Sequence, residues 1–238
     1  AHPKEAHVIL DDVVDSGATR DKYVRGYPGA QFKALVDKPQ EGLTGTWVKF
    51  PWEESPEADL ADHVRRIIEA IGDDPTREGL TETPRRVVES WGELYSGYHT
   101  QPEGLLKWFE SNSDEMVIVK GIKFWSTCEH HMLPFWGQVD LAYIPSGLIV
   151  GASKFSRLIE VFARRLQVQE NLVIQIGKAV LESGHTKDVA VSITAQHSCM
   201  MARGVNQQES TLVTNYLSGA FREDEATRAE FFSMIRAN

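Results

Sequence analysis

Two short polar motifs, CEHHM at 128–132 and QHSCM at 196–200, hold the chain's two cysteines, each with histidines close to the thiol. Cys128, His131 and Cys199 offer two thiolates and an imidazole, the soft and borderline donors that Zn²⁺ prefers. Three protein ligands leave the fourth tetrahedral position open to water, as in catalytic rather than structural zinc sites. Such a metal lowers the pKa of its water toward neutrality and supplies a nucleophile for an electrophilic carbon. His130 and His197 stand beside the ligands, and imidazole is the side chain suited to proton transfer near neutral pH. Two blander readings compete. Free cysteine is commonly a buried core residue, and two cysteines can also pair as a disulfide. The polar neighbours Glu129, His130, Gln196 and Ser198 speak against core thiols. Ala1–Asp12 has no basic region leading into a long apolar stretch, so a reducing, cytoplasmic compartment is expected.

A second cluster is suited to an anion. Ser153, Lys154 and Arg157 fall at the start of an expected helix, where backbone N–H groups and the helix dipole favour negative charge, and Arg203 follows Cys199 by four residues. The arrangement suggests a phosphate pocket, against the alternative of an ordinary solvated Lys/Arg face. Glu170, preceded by Gln169 in QVQE, offers a carboxylate that suits adjacent N–H donors such as a guanine edge.

These residues need elements to hold them. Leu60, Val64, Ile67, Ile68 and Ile71 recur at three and four residues and predict a helix ended by Asp73-Asp74-Pro75. Thr83-Pro84 reads as an N-cap and first helical residue, with Val87, Val88, Trp91 and Tyr95 on one apolar face. From Met116 the period changes: Met116 to Val119, Val139 to Ile144 and Val189 to Ile193 read as strands. Between them Ser153 caps a helix through Phe155, Leu158, Phe162 and Leu166, continued by a second through Leu172, Ile176 and Val180. Segregated helices and strands of this kind predict an α+β domain with an antiparallel sheet. At 238 residues and 42% hydrophobic content the chain can bury one substantial core or two small ones. No apolar run approaches the ~18 residues of a membrane span, and a net charge of −9 argues against nonspecific nucleic-acid binding. A boundary is expected near residue 55, dividing residues 1–55 from 56–238, the latter with a helical part (56–115) and a catalytic part (116–238).

Over residues 56–238 the blocks DDPTREGLTETPRRV, SGY, STCEHHMLPFWG, AYIPSG, VGASKFSR, FARRLQVQE, HSCMMARGV and GAFRED resemble the zinc-dependent GTP cyclohydrolase I family. The resemblance implies a tunnelling-fold (T-fold) domain, a toroidal homodecamer with sites shared between subunits, and conversion of GTP to formate and 7,8-dihydroneopterin triphosphate. That product opens the way to folate, biopterin or deazapurine compounds. It also implies roles: Cys128, His131 and Cys199 as zinc ligands; His130 and His197 as the acid/base pair for purine ring opening at C8; Glu170, with Gln169, on guanine; Ser153 in the ribose rearrangement; Lys154, Arg157 and Arg203 on the triphosphate. The chain departs from the family pattern at 206–214, which reads NQQESTLVT where a lysine, proline-glycine and S-x-T-x-T are usual. Thr194 and Leu148 replace a common acidic residue and a common lysine.

Residues 1–55 do not resemble that family. VILDDVVDSGAT at 8–19 resembles the PRPP-binding motif of type I phosphoribosyltransferases: an apolar strand ending in the carboxylates Asp11 and Asp12, then a loop with Ser16, Gly17 and Thr19 offering backbone N–H groups to a phosphate. The expectation is the C-terminal piece of a partial α/β transferase fold, truncated and inactive here. Two other readings stand beside the cyclohydrolase: a bifunctional fusion with such a transferase, and a non-catalytic zinc-bound oligomeric scaffold.

Overall fold

The computed structural model describes residues 8–14, 21, 22, 25, 31–37 and 56–237. Two compact units, Ala1–Asp74 and Pro75–Asn238, are taken separately. In the first, β1 (Val8–Val14) pairs in parallel with β2 (Gln31–Asp37), Val8 opposite Gln31. α1 (Pro56–Ala70) follows, with Val64 and Ile68 buried and Ile67 and Ile71 exposed, so the buried stripe is narrower than the sequence period suggests. Of the PRPP-like motif, Asp11 and Asp12 fall in β1, whereas Ser16, Gly17 and Thr19 lie outside the described residues.

The second unit begins with α2 (Thr83–Leu94) and a 3₁₀ turn (Ser96–His99). Strands β3 (Trp108–Glu110), β4 (Val117–Cys128), β5 (Pro134–Tyr143) and β6 (Leu148–Val150) come next, then α3 (Ser153–Ala163), β7 (Leu166–Gln167) and α4 (Gln169–Glu182). β8 (Val189–His197), α5 (Ser198–Met201), β9 (Leu212–Leu217), α6 (Ala220–Glu223) and α7 (Glu225–Arg236) complete it. The main sheet runs β7-β4-β5-β8-β9, antiparallel throughout except for β7, which lies parallel to β4. The mixed α+β architecture with an antiparallel sheet agrees with the sequence reading.

Alternation along the strands decides which face each residue serves. Val139, Leu141 and Tyr143 of β5 and Val189, Val191 and Ile193 of β8 join Phe155, Leu158 and Ile159 of α3 and Leu172, Ile176 and Val180 of α4 in the principal core. The residues between them, Ala142 and Ala190, face the other way and pack with Phe221 of α6 and Phe231 of α7. Small alanines on that face leave room for two aromatic rings whose centroids are 5.7 Å apart. The far end of the sheet keeps Trp125 exposed and stacked on Trp136, at 5.0 Å and 22°.

Three elements differ from the sequence reading. β4 runs on from the expected 116–119 to Cys128, because a bulge at Gly121 (φ 68°) breaks the alternation between Val119 and Ile122. The Gly121 amide donates to the buried carboxylate of Asp140 at 2.7 Å, and Lys120 caps the end of α7 by donating to the Met234 carbonyl at 2.8 Å. Thr83 is the first residue of α2 and Glu82 its N-cap, so proline sits one position deeper than expected. Ser153 likewise is the first residue of α3 rather than its cap, that position being held by Ala152.

Candidate metal centre and active site

The metal motif sits on a hairpin. β4 ends at Cys128, whose amide donates to the Leu133 carbonyl at 2.8 Å while its own carbonyl accepts from Met132 at 2.8 Å. Met132 closes this turn with φ 54°, a left-handed conformation uncommon for a long side chain. The Glu129 amide donates to the Gln167 carbonyl of β7 at 3.0 Å, pinning the turn to the sheet edge. Cys199 arrives from the other side: β8 ends at His197, the chain folds at once into α5, and the Ser198 hydroxyl donates to the Pro134 carbonyl at the start of β5.

The consequence is convergence. The ligating atoms of Cys128, His131 and Cys199, 71 residues apart at their extremes, all lie within 4.8 Å of one another. A tetrahedral zinc with Zn–S of about 2.3 Å and Zn–N of about 2.0 Å sets its donors slightly under 4 Å apart, so small side-chain rotations suffice. Burial, reinforced by the adjacent Cys128 thiol, pushes the Cys199 thiol above its ordinary range, with Arg203 opposing. A bound divalent cation reverses this balance by favouring thiolate, so the donor set fits zinc. Contrary to the expectation from its polar sequence neighbours, Cys128 is buried within the principal core, with Cys199 packed against it. Those apolar surroundings are tertiary and leave no trace beside the cysteine in the chain.

His130 and His197 occupy different environments. His130 is exposed, with Nδ1 4.0 Å from the Cys128 sulfur and Nε2 3.9 Å from a Glu129 carboxylate oxygen. His197 is half-buried against Phe135, rings parallel within 5° and centroids 4.5 Å apart. Burial lowers its pKa, with Glu170 pulling the other way. Glu170 itself is exposed in the first turn of α4. An Arg203 guanidinium nitrogen lies 3.1 Å from Nε2 of His131, so that arginine stands at the metal cluster.

Gln169 is not where the sequence suggests. It is fully buried, its amide nitrogen donates to the carbonyls of Ile193 (3.0 Å) and Leu212 (2.9 Å) and to the Thr214 hydroxyl (3.1 Å), and its oxygen meets Nε2 of His197 at 2.9 Å. An amide committed in this way is not available to a guanine, so the expected recognition role is corrected to one inside the protein. Ser153 and Arg157 are exposed and Lys154 partly so on the first turns of α3. Arg157 borders a hollow with Ser96, Thr100, Leu105 and Glu160, and within one chain no hydrogen bond or ion pair among the described residues joins this trio to the Cys/His cluster. Residues that sequence reading missed are Phe135 and Gln167; the latter is buried, its amide donating to Phe162 and Gln175 at 2.8 Å each. The run QVQE was the available signal, since two glutamines flanking a helix start have hydrogen bonds to satisfy once buried.

The family model "GTP cyclohydrolase I" matches residues 60–236. The "GTP cyclohydrolase 1" of Coxiella burnetii is 50% identical over 179 residues, covering 74% of this chain and 97% of that protein. The proteins of the same name from Wolinella succinogenes (49%, 74% and 96%) and Campylobacter jejuni (49%, 74% and 94%) are similar to the same degree. Among solved structures, an apo archaeosine synthase QueF-Like aligns at a TM-score of 0.34 with 18% identity over 45% of this chain and 97% of its own, a likeness too slight to bear on the matter. With a family match over most of its length and half of the aligned residues identical to such relatives, the chain belongs to the GTP cyclohydrolase I family.

Proposed function

We propose that residues 56–238 form a T-fold enzyme that hydrolyses and rearranges GTP to 7,8-dihydroneopterin triphosphate and formate, with Zn²⁺ held by Cys128, His131 and Cys199. The single observation carrying the metal reading is the convergence of these three donors from two separate motifs. When bound, zinc supplies a Lewis acid and a water acidified toward neutral pH. The protein's own groups do the rest. His197 and His130 move protons to and from the purine ring and the opened product. Glu170 accepts hydrogen bonds from the guanine edge, and Gln169 supports the site from within. Arg203, beside His131, and Lys154 and Arg157 on the first turns of α3 clamp the triphosphate, while Ser153 assists the ribose rearrangement.

That no hydrogen bond or ion pair among the described residues joins the α3 trio to the Cys/His cluster supports a site completed by a second copy of the chain, and hence a homo-oligomer, by resemblance a decamer. Exposed Trp125 and Val213 on the sheet are apolar surface that such assembly would cover. Among the described residues no helix is long and apolar enough to cross a membrane, and a cytoplasmic site of action follows from the use of GTP. For residues 1–55 we propose a phosphoribosyltransferase-like segment; the parallel pairing of β1 with β2, typical of α/β units, supports it.

The test is turnover. Zinc-loaded protein given GTP should release formate and a pterin in equal amounts, and His130→Ala and His197→Ala should each lose about 10²–10⁴-fold in kcat, the worth of general acid–base catalysis. Zinc and GTP binding without formate would favour the non-catalytic scaffold.

A further inference from the structure

The Gln169 amide can face only one way. Its nitrogen lies within 3.1 Å of three groups, of which two, the Ile193 and Leu212 carbonyls, are acceptors alone. A flipped amide would set its oxygen against both carbonyls, acceptor facing acceptor, where Gln169 is fully buried. The oxygen must therefore be the atom 2.9 Å from His197 Nε2. Because an amide oxygen only accepts, His197 Nε2 must carry the hydrogen.

We infer that Gln169 is a positioning residue that locks His197 as the Nε2–H tautomer and thereby presents Nδ1 to the substrate. Phe135 completes the clamp, its ring parallel to the imidazole at 4.5 Å and blocking rotation out of plane. The amide fixes one edge of the ring and the phenyl fixes one face. Since which nitrogen bears the proton is set by the partner of the other, the buried end of the network selects the working end.

The same network explains how the unusual 206–214 segment is accommodated. Leu212 contributes its backbone carbonyl, which any residue supplies, and Thr214 retains a hydroxyl. β9 reaches the clamp through its pairing with β8, Thr194 opposite Val213 and Ile193 opposite Thr214.

The inference deepens the proposed role of His197 and rests on it, but the test reads the tautomer directly. Long-range ¹H–¹⁵N correlation spectra of zinc-loaded, ¹⁵N-histidine-labelled protein, with His197 assigned by the signal lost in His197→Asn, should show Nε2 protonated and Nδ1 bare. A protonated Nδ1, or averaging between tautomers, overturns it. In Gln169→Met the tautomers should mix, and kcat should fall about ten- to a hundredfold with KM for GTP and zinc content nearly unchanged, a part of the full acid–base contribution. An unaltered tautomer and kcat in that variant also overturn it. Thr214→Val, which removes one of three donor contacts and leaves the oxygen in place, should keep the wild-type tautomer and lose less than about threefold in kcat. Should Gln169→Met fail to fold, the wild-type spectrum still decides. Absence of any GTP turnover would sink the cyclohydrolase reading and leave the tautomer result standing on its own.

Discussion

Gly177 of α4 and Tyr216 of β9 meet face to face: a Cβ placed on Gly177 would come within 2.1 Å of the tyrosine ring. The absent side chain is what lets the helix lie down on the outer strand. Tyr216 packs against the principal core at this point, so the pair joins α4, which begins with Gln169 and Glu170, to the strand that carries Thr214.

Gly177→Ala should therefore destabilise the fold by about 1–3 kcal/mol, the usual cost of forcing extra volume into a packed interior, despite alanine's better helix propensity. Urea unfolding of the two proteins checks this. Equal or greater stability in the variant would show that Tyr216 has room to retreat.

Asp224 caps α7, accepting from the Thr227 hydroxyl at 2.6 Å and the Thr227 amide at 2.7 Å. These bonds hold its carboxyl below the usual carboxylate range. A depressed folded pKa means that the stabilisation is present above the unfolded value and is lost as pH falls through the folded one. Asp224→Ala should lower the thermal midpoint at neutral pH, and the gap from wild type should close in strong acid. A gap that persists unchanged in acid would place the effect elsewhere.

What could be read from the sequence and what could not divide along physical lines. The metal donors, the spare histidines and the helical faces of α3 and α4 rest on residue type and local spacing, which a chain displays openly. β4 looks like a fragment in the sequence because the Gly121 bulge breaks its alternation and because Ser126, Thr127 and Cys128 are buried polar or thiol residues at its end. Nothing beside Gln169 in the chain reveals that Ile193, Leu212 and Thr214 surround its amide. β9 and the C-terminal helices leave little trace in the sequence: LVTNYL lacks strict apolar–polar alternation, and α7 buries only Phe231 fully.

In the proposed function Arg203, whose guanidinium reaches His131, meets a phosphate beside the candidate metal cluster. Arg203→Ala should raise KM for GTP about ten- to a hundredfold, corresponding to the ~1.5–3 kcal/mol of a hydrogen bond to a charged group, while zinc content holds. Steady-state kinetics with metal analysis would distinguish this from an arginine that serves only to orient His131, for which KM would stay put and zinc would fall.

In the proposed function Cys128, His131 and Cys199 hold the metal on which ring opening depends. The most direct measurement is bound zinc and formate release, taken on the same preparations of wild type, chelator-treated protein and Cys199→Ala. The expected result is about one zinc per chain and formate from GTP in the wild type, both lost on chelation, formate restored by added zinc, and neither recovered in the variant. Formate release that survives chelation, or a Cys199→Ala protein that keeps its zinc and its rate, would contradict it.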